Sequence, residues 1–598
     1  MRSNLGRFHR PMSRGLVNNM LTMNNLGDGS TLSLDFTTMG GVLDPRLTFS
    51  RASTATFVNS SGYVEWAGAN LLRNSGWLDS NPTPTNWTLS GNAATIPATG
   101  FRTFTTTTAA TSFITDSGIS LSQGITYSAV IEVSAVSGSP TMINTMVATA
   151  SPTNQQWYQD GTLVTSGTVI TSGTITYVFT AGSGSFVRCG LGTTGSTVTS
   201  QSVTLTKPRV VPGVSINATY YESTTSAAYH APRFDYSPTN IGEPRGLLIE
   251  GQTPNITLYS EKLNQSVTNL PWYYANLNTP TVATGIADPY GNTTGTTAWK
   301  LVATGTGYHA ARQSWTFTAA AYTFSFYAKA AEYDRVTIGD LTSGQGGCSF
   351  VLTGNGTATV RGGGTNPQIT PYANGWYRCS YTVTMTATTV GMGIVGYPAA
   401  TTPDAYGASY TADGTSGVYV TMVQVELGSG ASSYILTGAS QVTRNADSCL
   451  MSGTNFSSWY TQGMGTVCWS GSAFRITAGH LANINTVNND PRITAYVGAG
   501  SLTNLVTNGT TQASISFGTV TANTAFKAAW RFNTNDFAAC LNAGTVYTDT
   551  LGTVPTGVDR MQLGAAEGGY QFLDGWIKSI KYYPTAFTNA QLQTATTL

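Results

Sequence analysis

Tyr322-Thr-Phe-Ser-Phe-Tyr-Ala-Lys329 sets Tyr322, Phe324, Phe326 and Ala328 on one side of an extended chain. Thr323, Ser325, Tyr327 and Lys329 fall on the other, the period of two expected of a half-buried antiparallel strand. Val418-Tyr-Val-Thr-Met-Val-Gln-Val-Glu-Leu427 alternates in the same way, and Gly428 stops it. Short runs of this kind, separated by Gly, Asn and Ser clusters, recur along the 598 residues, whereas helical periodicity is almost absent. The pattern predicts an all-β chain: an N-terminal region followed by three tandem antiparallel β-sandwich modules of the jelly-roll kind.

An internal repeat sets the module boundaries. Asn70-Leu-Leu-Arg-Asn-Ser75 leads to Asn86-Trp-Thr-Leu-Ser-Gly-Asn92, and Asn255-Ile-Thr-Leu-Tyr-Ser-Glu261 leads to Pro271-Trp-Tyr-Tyr-Ala-Asn276. Each copy closes on an alternating run, Ser202-Val-Thr-Leu-Thr206 and Val423-Gln-Val-Glu-Leu427. The spacing is too long for a solenoid and reads as domain duplication. The organisation is then 1–68, an N-terminal region; 69–213, the first sandwich; 214–254, an ordered connector; 255–437, the second sandwich; and 438–598, the third. The connector carries Pro232-Arg-Phe-Asp-Tyr236 and Glu243-Pro-Arg-Gly-Leu-Leu-Ile-Glu250, whose Arg and acidic residues predict ion pairs. In the third module, Thr588 is placed to cap a short closing helix.

Composition narrows the chemistry. Lys and Arg total 28 against 27 Asp and Glu, so the chain is 9% charged with a net charge of +1. Such a chain has no basic field to draw it onto nucleic acid. No run approaches the ~18 apolar residues of a membrane span. Met1–Arg14 is basic without the apolar centre of a signal peptide, so synthesis in a cytosol is expected. Cys189, Cys348, Cys379, Cys449, Cys468 and Cys540 are scattered, which predicts reduced thiols rather than a disulfide framework or a zinc site.

No catalytic constellation emerges, and the chain is expected not to be an enzyme. Glu243, Glu250 and Glu261 stand among Arg and Lys and read as structural ion-pair partners; Asp334 and Asp340 read as solvated loop carboxylates. Gly27-Asp-Gly-Ser30 lacks the partner segments of an esterase nucleophile loop, and His480 has no adjacent acid. The candidates are instead aromatic. Trp272, Tyr273 and Tyr274 are consecutive, so at least one points away from the core, toward a glycan or an interface. Trp376 is a further candidate, although core packing is its simpler reading.

Some segments resemble known proteins. Gly40-Gly-Val-Leu-Asp-Pro-Arg-Leu-Thr-Phe-Ser-Arg-Ala-Ser-Thr-Ala-Thr56 is similar to a segment near the start of tailed-bacteriophage virion appendage proteins. So are Pro232–Tyr236 with Pro244-Arg-Gly-Leu-Leu-Ile-Glu250, and Val423–Gly428 with Ser433-Tyr-Ile-Leu-Thr437 and Thr443-Arg-Asn-Ala-Asp447. The first two sandwiches resemble carbohydrate-binding modules. The third resembles concanavalin A/laminin-G sandwiches through Asp574-Gly-Trp-Ile-Lys-Ser-Ile-Lys-Tyr-Tyr583. The resemblance implies a virion structural protein, a tail or head fibre on the particle exterior, made in the bacterial host cytoplasm. Arg2, Arg7, Arg10 and Arg14 would anchor it to capsid, portal or tail proteins, and the modules would meet host cell-surface glycan. A purely structural head fibre, cement or adaptor protein is the alternative, and a glycan depolymerase a weaker one. A homo-oligomer is implied, with the trimer a fibre habit, although no heptad stalk or collagen-like repeat demands it. Laminin-G-like folds often hold Ca²⁺, for which Asn485, Asn488, Asn489 and Asp490 are on offer; the same residues read equally as a plain turn.

Overall fold

The computed structural model describes residues 28–216, 218–224, 226–264, 272–293, 296–386, 388–498 and 500–598. Two compact units form. One combines the chain up to Thr48 with Leu450–Leu573 and Ile577–Leu598; the other combines Phe49–Cys449 with Asp574–Trp576. Among the described residues, helix is confined to Met142–Thr145, Thr454–Ser457, Asn589–Ala595 and the 3₁₀ turn Ala373–Gly375. The chain is all-β, as its alternation requires. No helix among the described residues is long and apolar enough to cross a membrane.

The larger unit contains two sandwiches. In the first, Met146–Ala150, Ser183–Leu191, Ser112–Asp116 and Thr88–Gly91 form a four-stranded sheet. Six strands oppose it, in the order Thr162–Val164, Thr153–Gln159, Gly173–Thr180, Thr126–Ser137, Gln201–Pro212 and Phe101–Thr106. Trp87, Ile114, Val187 and Met146 meet Phe104, Ile131, Tyr177 and Val203 in the shared core.

The second sandwich has six strands in each sheet. Its front sheet runs Tyr273–Ala275, Ala310–Thr316, Thr389–Gly396, Arg335–Asp340, Gly346–Val351 and Thr357–Gly362. Its back sheet runs Thr281–Val282, Trp299–Val302, Gly417–Leu427, Ala320–Ala330, Trp376–Met385 and Gly364–Pro371. Phe324, Phe326 and Ala328 enter the core between them, as alternation predicts. The other side of that strand is not solvated, however. Thr323, Ser325 and Tyr327 are buried as well, because the segment after Leu427 folds back across them. Thr323 Oγ1 donates to Gly428 O at 2.7 Å and accepts from Gly430 N at 2.8 Å.

The two sandwiches share a polar motif. Asn70 Oδ1 accepts from Leu72 N and Val210 N, while its amide donates to Pro208 O and Tyr221 O. Asn255 Oδ1 accepts from Thr257 N and Val425 N, and its amide donates to Val423 O and Ile435 O. Both side chains are fully buried, and all four bonding positions of each amide are used. One residue before each accepting carbonyl, Lys207 and Met422 adopt left-handed φ of 49° and 52° at a bulge against the neighbouring strand. This equivalence revises the sequence alignment. Ser202–Thr206 corresponds to 417–421, not to Val423–Leu427; alternation alone cannot fix an offset within one long strand.

The connector region is held by buried charge. Arg233 bridges Glu250 and Asp447, Arg444 also pairs with Glu250, and Arg51 Nη1 reaches Asp447 at 2.9 Å. All five side chains are excluded from solvent. Two cations and a backbone and hydroxyl bond from Ser433 hold the Glu250 carboxyl well below the usual carboxylate range. Desolvation and the neighbouring guanidiniums lower Arg51 to about 10.

In the smaller unit, residues 577–583 lie in a sheet with Met464–Ala473, Phe526–Asn533, Phe537–Leu541 and Val546–Asp549, and Leu32–Asp35 pairs with that same strand. Arg560–Leu563, Ala478–Asn485, Arg492–Gly498, Ser501–Thr507 and Thr511–Thr519 build a second sheet. Residues 28–48, read from sequence as part of the N-terminal region, thus contribute a strand here. The predicted terminal helix is Asn589–Ala595, started by a capping box between Thr588 and Gln591. All six cysteines are free thiols, five of them buried.

Candidate functional site

The strongest candidate surface is the outer face of the second sandwich's front sheet. Core packing takes Ala311, Ile394, Ile338 and Cys348, so their neighbours face outward. Strand register puts Tyr273, Arg312, Gly393, Gly339, Gly347 and Arg361 in one row across that face. Tyr273 is 55% exposed, and the Arg312 guanidinium lies 5.8 Å from its ring centroid. Three adjacent glycines, all buried, let other parts of the chain pack onto the middle of the row, and a Cβ at Gly393 would stand 2.4 Å from Leu341 Cδ1. Two of them admit a covering strap: a Cβ at Gly339 would stand 2.6 Å from Gly407 N, and one at Gly347 3.3 Å from Ala405 O. Asp340 N fixes the strap by donating to Ala405 O at 3.0 Å.

The strap carries a second exposed aromatic pair. Tyr406 and Tyr308 have ring centroids 6.3 Å apart and are both exposed. Asp404 anchors them, accepting from Tyr308 Oη and from the Tyr406 and Gly407 amides. That bond to a carboxylate raises the Tyr308 pKa. Asn276 Nδ2 holds the Tyr308 carbonyl at 3.0 Å. Beside Arg312, three polar groups converge above buried Gly391: an added Cβ would stand 3.2 Å from Thr342 Oγ1, which accepts from Gly391 N, 3.4 Å from Ser314 Oγ and 3.8 Å from Arg312 Nη1. The face therefore offers flat aromatic surface, hydroxyls and, beside Tyr273, the Arg312 guanidinium, the groups that bind sugars by stacking and hydrogen bonding.

Of the sequence candidates, Tyr273 alone presents a free ring. Trp272 is 2% exposed, its indole donating to Tyr259 O at 3.3 Å, and Trp376 is 0% exposed, donating to Ala287 O at 2.8 Å. Neither indole offers a stacking face; each fills the core and satisfies a backbone carbonyl. Tyr274 is half-buried and donates to Leu263 O at 2.6 Å. Arg2, Arg7, Arg10 and Arg14 lie outside the described residues. Sequence reading passed over Tyr308, Tyr406 and Arg312. The signal for Tyr406 was Asp404-Ala-Tyr-Gly407, a turn sequence with an aromatic at its tip.

The carboxylates are occupied in structural roles. Glu250 is in the ion cluster. Asp340 is buried rather than solvated, accepting from Thr342 N, Ser343 N, Ser343 Oγ and Gln345 N to close a turn. Glu261 is not paired with Lys262, whose ammonium donates to Gly124 O at 3.1 Å. Its partner is Tyr290 Oη at 2.7 Å, and burial pushes its carboxyl up to about 7. His480 touches Thr494 Oγ1 at 2.7 Å and Gln571 Oε1 at 3.2 Å, and desolvation lowers it to about 4. Asp28 accepts from Ser30 and pairs with Lys581, forming no nucleophile elbow.

Of the four Ca²⁺ candidates, Asn485 keeps a buried side-chain oxygen without a hydrogen-bond partner. Asn489 Oδ1 accepts from both Asn483 and Asn485, Asn488 is exposed, and Asp490 accepts from Thr507 Oγ1 and Gly509 N. Among the described residues no group of three His, Cys, Asp or Glu side chains converges on a metal position.

No family model matches the chain. No curated protein matches it. Solved structures that it resembles in part are β-sandwich domains. One is the carbohydrate-binding module of a Ruminococcus gnavus sialidase bound to α2,3-sialyllactose, 15% identical over 24% of this chain and 88% of that one, with a TM-score of 0.22. Another is a tandem carbohydrate-binding-module pair from the Paenibacillus barcinonensis protein Xyn10C: 13% identity, 61% and 98% coverage, TM-score 0.20. A third is the LG4-5 pair of mouse laminin α1, 10% identical over 54% of this chain and 94% of that one, with a TM-score of 0.17. At these values function has to be read from the chain's own residues.

Proposed function

We propose that the chain is a non-enzymatic bacteriophage virion protein, a tail or head fibre held by its N-terminus, that attaches the particle to host surface glycan. The observation that carries the binding half is the Tyr273–Arg312 face with its neighbouring Tyr308–Tyr406 pair. Exposed aromatic rings over hydroxyls, on a chain only 9% charged, suit a neutral or weakly charged polyol better than nucleic acid or a membrane. The virion half rests on the appendage-like segments at 40–56, 232–250 and 423–447. Binding through such a shallow face is weak per site and gains strength from many copies on one particle.

Glycan arrays and phage-adsorption competition with the purified full-length chain test this reading. Retention of glycans, inhibition of adsorption, and loss of both in Tyr273→Ala with Tyr406→Ala are expected. No retention and no inhibition by the wild-type chain would remove the adhesive function.

A further inference from the structure

We propose that the sugar taken by the Tyr273 face is acidic and that Arg312 receives its carboxylate. The inference deepens the glycan reading above and rests on it.

Many arginines of this protein are held by acids, and Arg188 and Arg378 by backbone carbonyls, while half-buried Arg361 and Arg492 share with Arg312 an Nε that has no partner. Arg51, Arg233 and Arg444 share Glu250 and Asp447, Arg73 is on Asp116, Arg102 on Asp79 and Arg531 on Asp536. Arg312 is half-buried, yet among the described residues it has no ion pair, and its Nε is buried without a hydrogen-bond partner. A guanidinium has five donors and no acceptor, so leaving it partly desolvated and unpaired is costly unless something else accepts from it. Tyr273 offers only its ring face, a weak attraction at an exposed site.

The surrounding acids cannot take that role. Asp340 spends both oxygens on the 342–345 turn, and Asp404 spends its own on Tyr308 and the strap amides. What adjoins Arg312 instead are the Ser314 and Thr342 hydroxyls, gathered with its guanidinium around one point above Gly391. A planar carboxylate fits the arginine fork, adjacent hydroxyls complement those of Ser314 and Thr342, and the sugar's apolar face is left for Tyr273.

The test uses the full-length chain with polygalacturonate and polysialic acid, each beside its carboxyl-reduced neutral counterpart and a sulfated neutral glycan, by calorimetry. Acidic probes should bind about tenfold more tightly than their reduced forms, as expected of charge-assisted hydrogen bonds. That preference should shrink when salt rises from about 50 to 300 mM. Arg312→Met should erase the preference while leaving the unfolding midpoint unchanged; Arg312→Lys should recover part of it. Equal binding of acidic and reduced probes would overturn the inference while leaving the glycan reading intact. So would a preference for the sulfated probe over the carboxylates, or a carboxylate preference that survives Arg312→Met. No binding of any probe would overturn both.

Discussion

The sandwiches at 69–213 and 255–437 have the same frame and different faces. Asn70 and Asn255 make the same four hydrogen bonds, and Asp116 and Gln313 accept from equivalent amides, those of Arg73 and Leu258. Outside the frame the copies part. The Tyr273–Arg312–Gly393 row of the second corresponds to Thr88–Thr115–Arg188 in the first. There the guanidinium of Arg188 lies over the Phe113 and Phe186 rings, at 5.3 and 4.6 Å, and Nη1 donates to Thr193 O. One copy covers its outer face with its own arginine; the other covers the glycines of its row with the 404–407 strap and Leu341 and leaves Arg312 at the edge beside Tyr273, without an ion pair. The two sandwiches thus share a buried polar frame and differ in what the sheet shows to solvent.

The frame is the part whose loss should cost most. Asn255→Ala removes four buried hydrogen bonds and strands two backbone N–H groups and two carbonyls, and so does Asn70→Ala. Each is expected to destabilise by about 3–5 kcal/mol, at the upper end for single substitutions. Chemical denaturation read by intrinsic fluorescence checks this. A loss under about 1 kcal/mol in either variant would mean that the two amides are not equivalent anchors.

How far the sequence disclosed these features depends on their range. Alternation in 322–329 revealed the strand and its core side, because a period of two is written in consecutive residues. It did not reveal that Thr323, Ser325 and Tyr327 are covered, since the cover comes from a segment about a hundred residues downstream. The Asn-led repeat was legible, but not the reason for it, which is that each Asn bonds to a strand well over a hundred residues away. Tyr273 could be picked from three adjacent aromatics, whereas Arg312 acquires meaning only from the absence of an acid opposite it. That is a property of strand register and packing, not of any local run.

A second contrast concerns protons. Six residues after Asn255 stands Glu261; six after Asn70 stands Gly76. Burial raises the Glu261 carboxyl to about 7, so the native state holds a proton that the unfolded chain releases near 4.5. Stability contributed by this site is therefore full below about pH 4.5 and falls as pH rises through 7. Glu261→Gln should flatten that decline and stabilise the protein at pH 8 by about 1–3 kcal/mol. Unfolding midpoints between pH 5 and 8 decide it: an unchanged slope in Glu261→Gln would place the pH dependence elsewhere.

The smallest expected effect bears most directly on why the two faces differ. If Arg188 serves only to close the first sandwich's outer face, Arg188→Gly gives up two ring contacts and one bond to Thr193 O. Cation–π contacts at such sites are worth about 0.5–1 kcal/mol each, and glycine adds a backbone cost of similar size within a strand. A loss of about 1–3 kcal/mol follows, with no glycan binding gained, because Thr88 and Thr115 supply neither ring nor cation. Adding Thr88→Tyr and Thr115→Arg to the same chain rebuilds the Tyr–Arg–Gly row of the second sandwich. In a background carrying Tyr273→Ala and Arg312→Met, that triple replacement should restore a preference for acidic over carboxyl-reduced probes. Restoration would show that three positions on a common frame separate a silent face from a binding one. Failure in a well-folded protein would shift the distinction to the Tyr308–Tyr406 strap, which the first sandwich would then have to be given as well.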